Sequence, residues 1–305
     1  MKKPTVIVIA GPTASGKSNL AIELAKKIDG QIISADSMQI YKDMNIGTAK
    51  VTKEEMQGIL HYMIDFVSPE QRYSVSDYKE QAEKYIEDII GLGKTPIICG
   101  GTGLYINSLI YGIEFSKEEI DEEYRNKLNN IAKCEGLDKL YEEALKIDPE
   151  AMKKISKNDQ KRIIRVLEIY HKTGKTKTQQ DMESRQNEVK YNYKVFCIDW
   201  DRQLLYERIN QRVEKMVEQG LIQEVKNILQ KYNKFPTAMQ GLGYKEIVEY
   251  INGNLTKQEA IEKIQMETRR YAKRQLTWFR KNKEIYWLNG QSEVLDNIDI
   301  ILKQI

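Results

Sequence analysis

Eight residues near the N-terminus, Gly11-Pro12-Thr13-Ala14-Ser15-Gly16-Lys17-Ser18, fit the spacing G-x-x-x-x-G-K-[ST] at every fixed position. That spacing cradles a polyphosphate. The glycines let the backbone curl so that successive N–H groups face one anion. A helix opening near Lys17 adds the positive end of its dipole. Lys17 supplies a mobile charge, and the Ser18 hydroxyl can ligate Mg²⁺. A chance match in a chain of this length is on the order of one in a hundred. The loop specifies a polyphosphate rather than a reaction, because ATPases, GTPases and small-molecule kinases share it. A GTPase should also carry N-K-x-D. Asn-Lys pairs start at Asn126, Asn233 and Asn282, but their fourth positions are Asn129, Pro236 and Ile285.

Two further groups could do chemistry. Asp36 closes a short apolar run, at the strand end where open α/β sheets bind ligands. Three roles compete there: a Mg²⁺ ligand, a general base, or a cap on the following turn. Arg212 has Arg208, Ile209, Lys215 and Met216 as helical neighbours three and four residues away, so no carboxylate is placed for a local ion pair. Cations crowded on one face repel unless an anion sits nearby. A solvated surface cation is the competing reading.

The elements that must hold these groups are legible from the apolar pattern. Residues 4–10 (PTVIVIA) predict a strand buried on both faces. Leu20, Ala21, Leu24, Ala25 and Ile28 predict a helix, which Gly30 should end. Residues 32–35 and 96–99 predict two more strands, with an amphipathic helix over 75–90 between them. Strands alternating with helices predict an α/β fold with a P-loop NTPase-like parallel sheet. Helical periodicity and dense charge then run over 114–194, and strand character returns at 195–199. The expected organisation is a catalytic core of residues 1–113 and 195–305 carrying an all-helical insertion, 114–194. Long helices are expected over 203–218 and 257–281, with a last strand at 285–288.

Composition narrows the function classes. Apolar residues make up 41% and charged residues 30%, with 6 Pro and 18 Gly, which excludes wholesale disorder and collagen-like repeats. No run of 18 uncharged apolar residues exists, so no membrane helix is expected, and the apolar run over residues 6–10 is too short for a signal peptide. Cys99, Cys134 and Cys197 lie far apart and there are two His, which argues against a disulfide framework or zinc site and for a cytoplasmic chain. Net charge is +3, but residues 153–194 hold 12 basic and 5 acidic side chains, and 257–283 hold 9 and 3. Two basic stretches in a nearly neutral chain suggest an anionic partner.

The phosphate loop, followed by Asp36-Ser37-Met38-Gln39-Ile40-Tyr41 and Asn45-Ile46-Gly47-Thr48-Ala49-Lys50, resembles the tRNA dimethylallyltransferases, also called tRNA isopentenyltransferases. Matches continue through Gly100-Gly101-Thr102-Gly103-Leu104-Tyr105, Gln240-Gly241-Leu242-Gly243-Tyr244-Lys245 and Arg269-Arg270-Tyr271-Ala272-Lys273-Arg274-Gln275, so the resemblance covers essentially the whole chain. It implies transfer of a dimethylallyl group from dimethylallyl diphosphate to N6 of the adenine just 3′ of the anticodon. Diphosphate departs and no ATP is consumed. It implies Asp36 as the base, Thr13 at the bridging oxygen, Arg212 at the diphosphate, and Mg²⁺ at Ser18. The implied contacts to the tRNA anticodon stem-loop are Asp36, Ser37, Met38, Gln39, Thr102, Arg125, Lys161, Arg162, Ile163, Ile164, Arg165 and 240–245. A cytoplasmic monomer of bacterial type, without a zinc finger, is expected. Two positions depart from the pattern. Lys245 stands where many members have Arg, keeping the charge without the bidentate fork. Tyr62 follows His61 where many members pair two histidines. A small-molecule kinase and a nucleotide-regulated RNA-binding module are the rival readings.

Overall fold

The computed structural model describes residues 3–115, 121–184 and 188–305. The chain divides into two compact units, one formed by Met1–Ile110 with Val189–Ile305 and the other by Tyr111–Glu188.

The first unit is built on a six-stranded parallel sheet. Its strands are β1 (Thr5–Ala10), β2 (Gly30–Ala35), β3 (His61–Tyr62), β4 (Thr95–Gly100), β5 (Asn192–Asp199) and β6 (Tyr286–Asn289). Their spatial order is β3-β2-β4-β1-β5-β6. The β-branched run of β1 lies at the centre, between β4 and β5, and residues 6–10 are fully buried. Alternate side chains leave on opposite faces. Val6 and Val8 pack under α2 (Val75–Gly91) and α3 (Gly103–Ile110), with Tyr78, Ile86 and Leu109. Ile7 and Ile9 pack under α1 (Lys17–Lys27) and α13 (Val294–Leu302), with Leu20, Leu24, Ile298 and Ile301. A third core joins residues 40–44 to α9 (Arg202–Glu218), α10 (Leu221–Lys231), α11 (Tyr244–Ile251) and α12 (Lys257–Phe279). It includes Tyr41, Val213, Val225 and Ile264. A short 3₁₀ turn, Ala238–Gln240, leads into α11.

The second unit is helical: α4 (Glu122–Cys134), α5 (Leu137–Ile147), α6 (Pro149–Met152), α7 (Gln160–Thr173) and α8 (Lys177–Glu183). Its core includes Leu128, Leu140, Met152 and Leu167. Asp148 accepts from the backbone N–H groups of Ala151 and Thr178, so one buried carboxylate ties α6 to α8.

Two expectations change. Gly30 does not end the first helix. Ile28 caps it, Asp29 turns the chain at φ +48, and Gly30 opens β2, where a Cβ would meet Ile97 Cδ1 at 2.7 Å. The expected limit between 194 and 195 falls inside β5. Residues 192–194 pair with Thr5, Val6 and Ile7 of β1 and so belong to the sheet.

Candidate active site

The carboxyl ends of β1, β2 and β4 are level, with Ala10 paired to Gly100 and Gly100 to Ala35. The loop after β1, the turn at Asp36 and the turn at Gly101 therefore leave the same edge of the sheet. The loop is strained at Ala14, φ +63, and turns at Gly16, φ +87, which glycine adopts freely. Such backbone persists where its surroundings over-determine it, and three side chains do so here. Trp200 Nε1 donates to Ser15 O at 3.0 Å. Arg208 Nε donates to Ala14 O at 2.9 Å, and its guanidinium lies 4.3 Å from the centre of the Trp200 ring. Gln275, 6% exposed, accepts from the Thr13 N–H at 3.0 Å and donates to Gly101 O at 2.8 Å. Gly101 permits that approach, since a Cβ there would stand 2.2 Å from Gln275 Nε2.

Asp36 caps its own turn. Its Oδ1 accepts from the backbone N–H groups of Met38 (2.9 Å) and Gln39 (3.3 Å), and Oδ2 takes no part in that turn. Thr102 secures the same segment: its N–H donates to Ala35 O and its Oγ1 accepts from Ser37 N–H, both at 3.0 Å. Capping is thus one role of Asp36, and it leaves the base and metal roles open.

A cavity of about 370 Å³ lies between these segments, with Thr13, Lys17, Ser18, Asp36 and Arg212 on its wall. Ser37, Met38, Gln39 and all six residues of 240–245 also line it. Burial lowers the pKa of Lys17, and the neighbouring Arg212 charge lowers it further while Asp36 opposes this. Burial likewise lowers that of Arg212, and Asp36 holds it up. The cavity therefore confines two cations and a carboxylate within Coulombic reach of one another, a setting suited to a polyanion beside a proton acceptor. Ala14, Ser15 and Gly16 line a second cavity of about 700 Å³, which shares Lys17, Ser18 and Arg212 with the first. Gly11 and Pro12 are buried beneath the loop.

Several expected site residues have partners that define their roles more closely. Arg208 is committed to Ala14 and Trp200, so of the two arginines on that helix face Arg212 is the one that reaches the smaller cavity. Gln39 Nε2 donates to Thr48 O and Ala49 O, both at 3.2 Å, which makes it a tie between loops. Tyr244 is 0% exposed and its hydroxyl donates to Glu224, so it shapes the wall. Gly241 packs against Met38, where a Cβ would meet Met38 Cε at 2.6 Å. Lys245 is exposed at the rim, with Nζ 3.4 Å from Glu246 Oε1.

In the helical unit, Lys161, Arg162 and Arg165 lie exposed on α7. Ile163 and Ile164 do not join them. The helical turn of 3.6 residues rotates both into the core with Leu128 and Leu140, and they are 0% and 5% exposed. They are corrected from RNA contacts to core residues. Arg125 forms a two-pronged ion pair with the buried Glu168, Nη2 to Oε2 at 2.8 Å, so part of its fork is already engaged.

Sequence reasoning gave no site role to Trp200, Glu224, Tyr271 or Gln275. Tyr271 lines the smaller cavity, and burial first, then the Asp36 charge, pushes its phenol up to about 12.

The chain is similar to known proteins over most of its length. The sequence model of the family described as IPP transferase matches residues 39–282. A tRNA dimethylallyltransferase of Acetivibrio thermocellus is 51% identical over 301 residues, covering 98% of this chain and 96% of the relative. One from Oceanobacillus iheyensis is 45% identical over 304 residues, covering 99% and 97%. Among solved structures, the tRNA delta(2)-isopentenylpyrophosphate transferase of Staphylococcus epidermidis superimposes with a TM-score of 0.73 at 44% identity, covering 99% of both chains. A eukaryotic dimethylallyltransferase acting on tRNA superimposes with a TM-score of 0.78 at 32% identity, covering 99% of this chain and 77% of that one. This chain belongs to the IPP transferase family.

Proposed function

We propose that this chain transfers the dimethylallyl group of dimethylallyl diphosphate to N6 of the adenine 3′ of the anticodon in tRNA. The observation that carries the reading is the convergence of Thr13, Lys17, Asp36 and Arg212 on one cavity. An adenine amino group is a weak nucleophile, because its lone pair is delocalised into the ring. Asp36 takes a proton from N6 as the new N–C bond forms and the C–O bond of the donor breaks. The electron pair leaves with the diphosphate. Lys17, Arg212 and the N–H groups of the loop receive that charge, and Thr13 stands at the bridging oxygen. The Ser18 hydroxyl offers a hard oxygen that suits Mg²⁺, whose charge would offset that of a diphosphate when bound. Among the described residues no group of three or more His, Cys, Asp or Glu could hold a metal ion by itself.

The adenine must leave its stack to reach Asp36, at a cost of a few kcal/mol that is smallest in a single-stranded loop. Residues 240–245 and the segment from Asp36 to Gln39 are the walls it meets, and exposed cations of α7 supply phosphate contacts. An RNA substrate and three free cysteines support the cytoplasm as the compartment. The test incubates the protein with dimethylallyl diphosphate and unmodified tRNA and measures nucleoside mass. A gain of one dimethylallyl group on adenosine is expected. A reaction that requires ATP, or tRNA of unchanged mass, overturns the reading.

A further inference from the structure

We propose that Glu224, which does not line the cavity, is a positioning residue: it sets Arg212 for the diphosphate through the loop of residues 45–49. The inference rests on the donor assignment above.

The backbone of this loop is polarised. On one side its N–H groups converge on a single carboxylate. Glu224 Oε2 accepts from Asn45 N–H at 2.9 Å and Ile46 N–H at 2.7 Å, and Oε1 accepts from Gly47 N–H at 3.1 Å. Successive N–H groups facing one point form an anion nest, and here the chain supplies the anion itself. On the other side the carbonyls of Thr48 and Ala49 accept from side chains of the site. Thr48 O accepts from Arg212 Nη2 at 3.3 Å and from Gln39 Nε2 at 3.2 Å. Glu224 reaches that carbonyl through one further bond: Gly47 N–H shares its peptide plane with Ile46 C=O, and Ile46 O accepts from Ala49 N–H at 2.9 Å, whose plane carries the Thr48 carbonyl to which Arg212 is tied. Without that tie, the guanidinium would be less restricted within the cavity and would lose more entropy on meeting the diphosphate.

A fourth donor extends the latch to the opposite wall. Tyr244 OH donates to Glu224 Oε1 at 2.7 Å, and its ring lies so close to Gly47 that a Cβ there would stand 2.5 Å from it. Gly47 is thus required by contact, not by a positive φ. One carboxylate holds the loop beside Arg212 and the first residue of α11 in register.

Glu224→Gln probes this with little change of shape. Each oxygen serves two donors, so the amide nitrogen confronts two N–H or O–H groups whichever way it turns. The readout is the affinity for inorganic diphosphate in the presence of Mg²⁺, measured by calorimetry, in four proteins: wild type, Glu224→Gln, Arg212→Ala and the double variant. The expected result is about a tenfold loss for Glu224→Gln in the wild-type background and less than about a twofold change in the Arg212→Ala background. Glu224→Asp, which keeps the charge, should recover part of the loss, and Tyr244→Phe should reproduce a smaller part. Arg212→Lys replaces Arg212→Ala if the latter does not fold. A loss of equal size in both backgrounds overturns the proposal, as does wild-type diphosphate affinity with only a lowered melting temperature. Failure of the wild-type protein to bind diphosphate would instead overturn the donor assignment, and the latch with it.

Discussion

Replacing Asp36 by Asn separates chemistry from architecture, because the structure fixes what each should cost. The architectural part is small. Asp36 Oδ1 accepts two backbone N–H bonds, from Met38 and Gln39, and an Asn oxygen can accept both. The change from a charged to a neutral acceptor costs about 1 kcal/mol or less of stability. Asp36→Ala, by contrast, orphans both donors and should cost roughly 1–3 kcal/mol. The chemical part is larger. General-base terms are worth roughly 10²–10⁴ in rate, about 3–5 kcal/mol. Donor binding should not suffer, since removing a negative charge beside Lys17 and Arg212 leaves the cavity more positive. The assay is the single-turnover rate on pre-bound complex with Mg²⁺ varied, beside the urea midpoint. The expected outcome is a near-native midpoint, an unchanged or lower donor KM, and a rate reduced at least a hundredfold at every Mg²⁺ concentration. A near-normal single-turnover rate would refute the base role, and recovery at high Mg²⁺ would move Asp36 to the metal.

Gln275→Leu leaves the Thr13 N–H and the Gly101 carbonyl without their partner in a buried setting. It should cost roughly 2–5 kcal/mol in urea denaturation and lower kcat, and a wild-type midpoint would show that water replaces both bonds. Replacing Lys161, Arg162 and Arg165 together by Ala should weaken tRNA binding and flatten the slope of log K against log salt by about 2, the single-strand value for three phosphate contacts. A slope that stays the same would mean that the existing pairs, Arg162 with Asp159 at 3.4 Å and Arg165 with Glu168 at 3.5 Å, are all these side chains do. Cys134 is exposed, whereas burial pushes the Cys99 thiol up to about 11 and the Cys197 thiol higher still. A raised pKa means that the thiolate appears only as pH rises, so at neutral pH an aromatic disulfide reagent should titrate one fast thiol, abolished by Cys134→Ser. A second fast thiol would place Cys99 in a wetter cavity than the structure has.

The sheet was legible because its strands announce themselves locally. β1 and β4 are apolar runs that end in glycine-bearing turns, and a buried parallel strand needs little else. The start of β5 was not legible, because Asn192, Tyr193 and Lys194 alternate without an apolar block. They become strand by pairing with Thr5, Val6 and Ile7, nearly two hundred residues earlier in the chain. β3 is two residues long and has no periodicity to read. Gly30 misled for a related reason: a glycine after a helix reads as its cap, yet here the left-handed residue is Asp29 and the glycine answers a neighbour in β4. Ile163 and Ile164 carry the same lesson, since a contiguous motif spans both faces of a helix and only one face meets solvent.

The candidate site divides along the same line between local and distant information. The phosphate loop and the segment at Asp36 were readable because each is a run of consecutive residues directly after an apolar strand. The groups that hold those residues still were not readable. Gln275 is 262 positions from Thr13, Trp200 is 185 from Ser15, and Glu224 is 178 from Ile46. In sequence each resembles an ordinary residue of a helix or a helix start. Glu224 sits among Gln223, Lys226 and Asn227 and reads as one more solvated charge. One local sign was present. Gly47 has a negative or extended φ and no turn that demands glycine, so its lack of a Cβ needed another explanation, and the Tyr244 ring provides it. A glycine that backbone conformation does not require points to a close neighbour, and here that neighbour, Tyr244, leads directly to the carboxylate that orients the loop beside Arg212.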